Sequence, residues 1–215
     1  MLTTLADGYR RHRFAWLFGS LIFTITASPA LHAIVPRVNA VELLLAINLV
    51  AVVSTVRREH GMGWIPWIGG AFLALRAGQT ASGLRAFVPF TGGLWVIGCL
   101  LGMLATARNA LRGGAVDAER IFAALDAYLL AGLVFGVCYW SLGRLDPLAF
   151  NETDLSRARA TYFSFVTLAT LGYGDVVPRS ELMQSLAIVE AVGGQMYLAV
   201  LIARLVSLYA RQSEI

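Results

Sequence analysis

The chain has 215 residues, of which 58% are hydrophobic and only 14% are charged. This composition excludes an ordinary soluble domain and predicts a membrane protein. The formal net charge of +4 comes from 17 basic residues, all of them arginine, which are scattered at the ends of apolar segments. We therefore attribute them to contacts with lipid headgroups, and we expect no nucleic-acid partner.

Four apolar segments in the N-terminal half predict membrane-spanning helices. They follow a basic tail, residues 1–13, and together occupy residues 14–107. The segment at 63–75 is short, but the chain from 61 to 107 is too long for one crossing, since a spanning helix needs about 20 residues. The predicted spans are residues 14–35, 40–56, 63–75 and 87–107.

The C-terminal half predicts a different arrangement. A polar linker, residues 108–120, precedes a fifth span at 121–142 and a sixth at 182–203. Between them lies a short apolar segment, 161–169, that is too short to cross a bilayer. Asp154 and Ser156 are both candidate N-caps for a helix there. The chain ends in a short tail, 211–215.

The short helix is followed directly by Thr170-Leu171-Gly172-Tyr173-Gly174-Asp175. A short helix, a Gly-x-Gly turn and then a full span predict a re-entrant loop, which is tolerated at membrane depth only when it is buried in protein or lines water. Gly172 and Gly174 can adopt positive φ at little cost. Alternating left- and right-handed residues would aim successive carbonyl groups in the same direction.

The stretch Thr170–Asp175 resembles the signature of the potassium channel family, and its first five residues differ from the filter sequence TVGYG only at Leu171. The resemblance covers about residues 122–210 and implies an all-α membrane protein of the single-pore bacterial type. Six transmembrane helices, a re-entrant pore helix and a selectivity filter between helices five and six are expected. The domain at 121–210 would then be the pore domain, and the chain would act as a homotetramer.

The resemblance also implies the ion-binding groups. The Thr170 hydroxyl and the carbonyls of Thr170, Leu171, Gly172 and Tyr173 would replace the hydration shell of K⁺, with Gly174 completing the filter. Potassium is then the permeant ion, the lipid bilayer is the surrounding partner, and no cofactor or catalytic residue is expected.

Asp175 is expected to hold the outer end of the filter. In some members of the family a carboxylate of the pore helix pairs with this aspartate, but Val166 stands at that position here. The filter must therefore be supported in another way, for which Phe163, Tyr162 and Thr167 are candidates.

Four residues of the sixth span attract functional hypotheses. Glu190 is its one acidic residue, and an ionisable group inside a membrane helix is a functional candidate by default. It could brace the pore helix, lie protonated against another helix or bind an ion. Gln195 could face the cavity or a helix contact. Gly193 and Gly194 lie where the family has its hinge, but close helix packing explains paired small residues equally well.

The first four spans lack the features of known gating modules. The fourth span, 87–107, contains no internal arginine, although steep voltage gating needs several buried charges. We therefore predict no voltage sensor. No cytoplasmic ligand-binding domain is expected either, so a soluble regulator would bind as a separate chain. We expect the protein to lie in the inner cell membrane. A filter that faces outward then places both termini in the cytoplasm.

Three alternatives stay open at this point. Gly172-Tyr173-Gly174-Asp175 also fits the Gly-x-Gly-Asp pattern of intramembrane aspartyl proteases, with Asp126 as the second carboxylate. A weakly selective Na⁺/K⁺ channel is the second alternative, against which Tyr173 and Gly174 argue. A potassium-uptake transporter subunit is the third, but such chains carry four pore repeats.

Overall fold

The structure, a computed structural model of the chain, describes residues 13–34, 100, 103, 104, 107 and 118–212. The helices named below all lie within these ranges. The predicted spans 40–56, 63–75 and most of 87–107 lie outside the described residues, as do most of the linker and both tails. The helices are α1 (Arg13–Ile34), α2 (Ala118–Gly143), α3 (Arg157–Leu168) and α4 (Glu181–Gln212).

Helices α1, α2 and α4 agree with the predicted first, fifth and sixth spans to within a few residues, except at the C-terminal end of α4. α2 begins three residues before the predicted span, and α4 continues nine residues beyond Ala203, where the apolar stretch was expected to end. Within the described residues, Ala118–Gly143 and Glu181–Ser207 are long and apolar enough to cross a membrane. α3 has 12 residues and is about 18 Å long, which is well short of a membrane's hydrocarbon core.

The chain forms two compact units, and the division falls inside α2, between Leu130 and Ala131. In the first unit α1 packs on the beginning of α2. The rings of Phe18 and Phe122 lie 5.6 Å apart, and the Phe14 N–H donates to Glu119 Oε2 at 3.1 Å. An acidic side chain at a helix N-terminus stabilises the otherwise unpaired N–H groups there.

The second unit has an aromatic core between α2, α3 and the connecting segments. The rings of Tyr139, Phe150 and Phe163 meet edge to face, with centroid separations of 4.9 to 6.0 Å. Such tilted contacts are favourable because the electron-poor edge of one ring meets the face of another. Met183 at the start of α4 belongs to the same buried cluster. Phe163, a predicted filter support, is therefore a core residue of α3.

Two local features fix where α3 begins and where the following segment runs. Ser156 is the N-cap, because its Oγ accepts a hydrogen bond from the Arg159 N–H at 3.2 Å. This settles the choice between Ser156 and Asp154. Phe150 and Pro178 form an isolated antiparallel bridge, which fastens the segment before α3 to the segment after it.

Candidate functional site

The backbone at residues 170–174 alternates in the sign of φ. Thr170, Gly172 and Gly174 have φ values of +57°, +58° and +77°, and Leu171 and Tyr173 between them do not. Glycine adopts this left-handed conformation at no steric cost, but threonine does not. The two glycines behave as the sequence predicted, whereas the left-handed Thr170 is a finding of the structure.

The end of α3 holds the beginning of this segment through main-chain hydrogen bonds. The Thr170 N–H donates to the Thr167 carbonyl at 3.0 Å, and the Leu171 N–H donates to the Val166 carbonyl at 2.9 Å. Val166 and Thr167 therefore contact the segment through their backbones, which any residue type provides. The segment itself is exposed in the single chain, with Leu171 at 57% and Tyr173 at 66%.

Asp175 is held by an arginine that sequence reasoning did not single out. Arg159 Nη1 lies 3.1 Å from Asp175 Oδ2, and the same guanidinium pairs with Glu152. The Tyr162 hydroxyl is close enough to lower the pKa of Asp175, so one of the three candidate supports interacts with this carboxylate. Arg159 and Tyr162 are three residues apart on α3, and residues at that spacing lie on one face of a helix.

The surroundings of Asp175 favour its ionised form. Partial desolvation raises the pKa of Asp175. Hydrogen bonds from the N–H groups of Asp175 and Val176 and from Tyr162, together with the charge of Arg159, lower it by a larger amount. The net pKa of Asp175 therefore lies below its ordinary value. A negative charge is kept at the end of the exposed segment.

Asn151 clips the segment after Gly174 to the loop before α3. Its Nδ2 donates to the Asp175 carbonyl at 3.0 Å, and its Oδ1 accepts from the Val177 N–H at 2.9 Å. The Asn151 N–H also donates to the Val177 carbonyl at 3.0 Å. Asn151 thus bonds three backbone groups of the segment after Gly174. Sequence reasoning missed this role, because the partners lie 24 and 26 positions away.

Glu190 lies buried between three helices, with 1% of its surface exposed. The Tyr139 hydroxyl of α2 donates to Glu190 Oε2 at 2.8 Å, and Ser164 Oγ of α3 contacts Oε1. Ser164 Oγ also lies 2.7 Å from the Gly132 carbonyl. Of the roles considered for Glu190, a brace against α3 is the one that these contacts describe.

Glycines allow the helices around α3 to approach closely. A Cβ added at Gly136 would lie 2.9 Å from the Thr161 Cα, and one at Gly132 would lie 2.6 Å from the Phe165 ring. Gly132 and Gly136 form a Gly-x-x-x-Gly pattern, the typical signal of a close helix contact in membranes. That pattern was present in the sequence and could have identified this face.

The paired glycines of α4 have different surroundings. A Cβ at Gly194 would lie 2.6 Å from Leu168 Cδ1, whereas one at Gly193 would meet nothing within 4 Å. Close packing is therefore the role that the geometry gives Gly194. A hinge at Gly193 stays a prediction. Gln195 is exposed.

Comparison with known proteins supports the family that the filter motif suggested. Residues 123–211 match a family model described as "Ion channel". A stretch of 79 residues is 44% identical to two-pore potassium channel 4 of Arabidopsis thaliana, and it covers 37% of this chain and 27% of that relative. The chain thus spans little more than a quarter of that relative's length. No solved structure matches the chain.

These matches show what the C-terminal part of the chain resembles. The region from α2 to α4 is similar to an ion-channel family, and it contains two apolar helices that are long enough to cross a membrane. Both comparisons support the potassium channel family. The description of the family model and the name of the relative both refer to channels.

Proposed function

We propose that four copies of this chain form a potassium-selective channel that conducts K⁺ passively, with Thr170–Gly174 as its filter. The observation that carries the proposal is the alternating φ at Thr170, Gly172 and Gly174. In this alternation successive carbonyl groups can point to one side of the segment. Rings of such carbonyls from four chains can replace the water around K⁺.

Exposed surfaces in the single chain support assembly with further copies. Polar backbone at membrane depth needs protein or water around it, yet residues 169–175 are exposed. The membrane-spanning part of α4 is only 11% buried, against 56% for α2. Three more copies around a common axis would cover part of both surfaces. The exposed apolar side chains of α4 are Leu182, Ile188, Val189, Val192, Met196, Val200, Ile202 and Val206.

The short helix α3 gives a second reason for cation preference. Its C-terminus, at Leu168, immediately precedes the proposed filter. The partial negative charge at a helix C-terminus favours a nearby cation, and four copies would direct four such ends to one axis. In this arrangement α3 is the re-entrant pore helix, Asp175 lies at the outer mouth, and both termini are cytoplasmic.

The test is flux of K⁺ and Na⁺ into liposomes that contain the purified protein. Wild type is expected to conduct K⁺ and exclude Na⁺. Gly172→Asp and Tyr173→Ala should abolish selective flux, because the first replaces a glycine at positive φ and the second removes a side chain of the proposed filter. Leu171→Val is the matched control: it creates TVGYG and should keep selectivity. Selective flux through Gly172→Asp would contradict the filter assignment.

The same preparation separates the alternatives. Equal K⁺ and Na⁺ flux would support a weakly selective channel. Cleavage of a membrane peptide, lost in Asp175→Asn, would support the protease with Asp126. Native mass measurement in detergent should give four chains, and a stable monomer would contradict the proposed assembly.

A further inference from the structure

Three hydrogen-bond contacts link α2, α3 and α4 behind the proposed filter. They join Tyr139 Oη to Glu190 Oε2, Ser164 Oγ to Glu190 Oε1, and Ser164 Oγ to the Gly132 carbonyl. All four residues belong to the second compact unit, and Ser164 and Glu190 are buried. Each contact needs one proton between its two oxygen atoms.

The count of protons decides the state of Glu190. The Tyr139 hydroxyl supplies the first proton. Ser164 has a single hydroxyl proton, and the Gly132 carbonyl can only accept, so their 2.7 Å contact uses the proton of Ser164. The contact between Ser164 Oγ and Glu190 Oε1 then has a proton only if the carboxyl group provides it. With an ionised Glu190, two acceptor oxygens would face each other in one of the three contacts.

We infer that Glu190 carries its proton, donates it to Ser164, and acts as a positioning residue that ties α4 to α3. It touches neither the permeant ion nor residues 170–174. The inference rests on the proposed channel function only for its effect on conduction. The protonation of Glu190 itself follows from the contacts.

Within the described chain, Glu190 has hydrogen-bond partners but no positively charged partner. The groups that face it are Tyr139 and Cys138 from α2 and Ser164 from α3; within the described chain no arginine interacts with it. Tyr139 and Cys138 are neutral at ordinary pH, and either would add negative charge on ionising. An uncompensated charge inside a membrane protein is costly, whereas a neutral carboxyl group with two partners is not.

The contact between Glu190 and Ser164 lies close to the proposed filter along α3. Ser164 lies in the second half of α3, six residues before Thr170. Glu190 lies one helical turn before Gly194, which packs against Leu168 at the end of α3. α4 is thus tied to α3 at two successive turns. Removal of the Glu190 proton would leave one of the three contacts without a proton and would leave a charge buried between the helices, so α3 and the filter would lose support.

The consequence is a channel that conducts with Glu190 protonated and loses conduction as pH rises. We expect K⁺ flux of wild type in liposomes to fall by about fivefold or more between about pH 6 and about pH 9. In Glu190→Gln the amide NH₂ donates to Ser164 and the amide carbonyl accepts from Tyr139. This variant should therefore keep its flux within about twofold over the same range.

Asp126→Asn is the matched control, because Asp126 is the other fully buried carboxyl group of the described chain and lies in the first unit. It should keep the pH dependence of wild type. A wild-type flux that does not change with pH, or a Glu190→Gln flux that falls as in wild type, would overturn the inference. So would loss of the pH dependence in Asp126→Asn with its retention in Glu190→Gln.

A spectroscopic measurement tests the proton without any conduction. The infrared difference between wild type and Glu190→Gln at neutral pH should contain the carbonyl stretch of a protonated carboxylic acid. A carboxylate band in its place would overturn the inference. If liposomes show no K⁺ flux but the acid band is present, the proposed channel function fails while the protonated Glu190 stands.

Discussion

The contact between α2 and α3 at Gly136 gives the sharpest prediction. A Cβ at Gly136 would lie 2.9 Å from the Thr161 Cα and 3.1 Å from its Oγ1. The Cα is backbone, so no change of rotamer removes this clash. Gly136→Ala must therefore move α3 away from α2 by several tenths of an ångström.

The size of the effect follows from two opposing terms. Overpacking of this kind costs about 1–3 kcal/mol, and replacing a helical glycine by alanine returns about 1 kcal/mol at most. Because the clash is with backbone, the cost should lie in the upper half of its range, so we expect Gly136→Ala to lower the free energy of unfolding by about 1–2 kcal/mol. The displacement also moves the Ser164 hydroxyl, which bonds the Gly132 carbonyl, so selective K⁺ flux should fall with stability.

The assay is denaturant or thermal unfolding of the purified protein in detergent, with K⁺ flux measured on the same samples. Gly193→Ala is the matched control, because an added Cβ there meets nothing within 4 Å. It should be as stable as wild type or slightly more stable. The reasoning is refuted if Gly136→Ala unfolds like wild type, or if Gly193→Ala is the more destabilised of the two.

Three further changes test the segment around Asp175. Asn151→Ala removes two side-chain hydrogen bonds from the outer end of the filter and should cost about 1–2 kcal/mol, with K⁺ flux that decays faster after exposure to low K⁺. Ser156→Ala removes the N-cap of α3 and should cost about 1 kcal/mol in unfolding measurements. Arg159→Gln should raise the pKa of Asp175 towards its ordinary value. A carboxyl group whose pKa is lower in the folded protein than in the unfolded chain stabilises the folded protein at pH values above the unfolded pKa. That stabilisation is lost as pH falls through the folded pKa. In a plot of melting temperature against pH, the fall on the acid side (the acid limb) should therefore move to higher pH in Arg159→Gln.

Each of these changes has a control on the same elements. Arg157→Gln removes a charge that stacks on Trp140 at 4.1 Å, and it should leave the acid limb in place. Ser156→Asp keeps a capping oxygen and should retain wild-type stability. Asn151→Asp keeps the acceptor for the Val177 N–H and should fall between wild type and Asn151→Ala. An acid limb that is the same in Arg159→Gln and wild type would show that Arg159 does not control Asp175.

Local patterns of the sequence predicted much of the described fold. Apolar runs of about 20 residues predicted α1, α2 and α4, because a helix is the one element that satisfies its own backbone in lipid. The shortness of the apolar segment before Thr170 predicted α3, and the sequence narrowed its N-cap to Asp154 or Ser156. The positive φ of Gly172 and Gly174 was predictable because only glycine adopts it freely.

Contacts between distant residues were not predictable in the same way. Nothing near Asn151 in the sequence pointed to its partners, because the carbonyl of Asp175 and the N–H of Val177 are backbone groups that every such residue carries. Arg159 was one of several loop-side arginines, and nothing local distinguished it from Arg157. Glu190 was recognised as unusual, but its partners lie 26 and 51 positions away.

The sequence by itself determined the apolar helices, the short helix and the conformational freedom of the glycines, since each depends on neighbours within a few residues. Only the tertiary structure decided what holds Asp175 and the residues that follow it: Arg159 pairs with the Asp175 carboxylate, and Asn151 bonds the backbone of Asp175 and Val177. The physical reason is that hydrogen bonds and ion pairs depend on three-dimensional distance, which the order of residues along the chain does not fix.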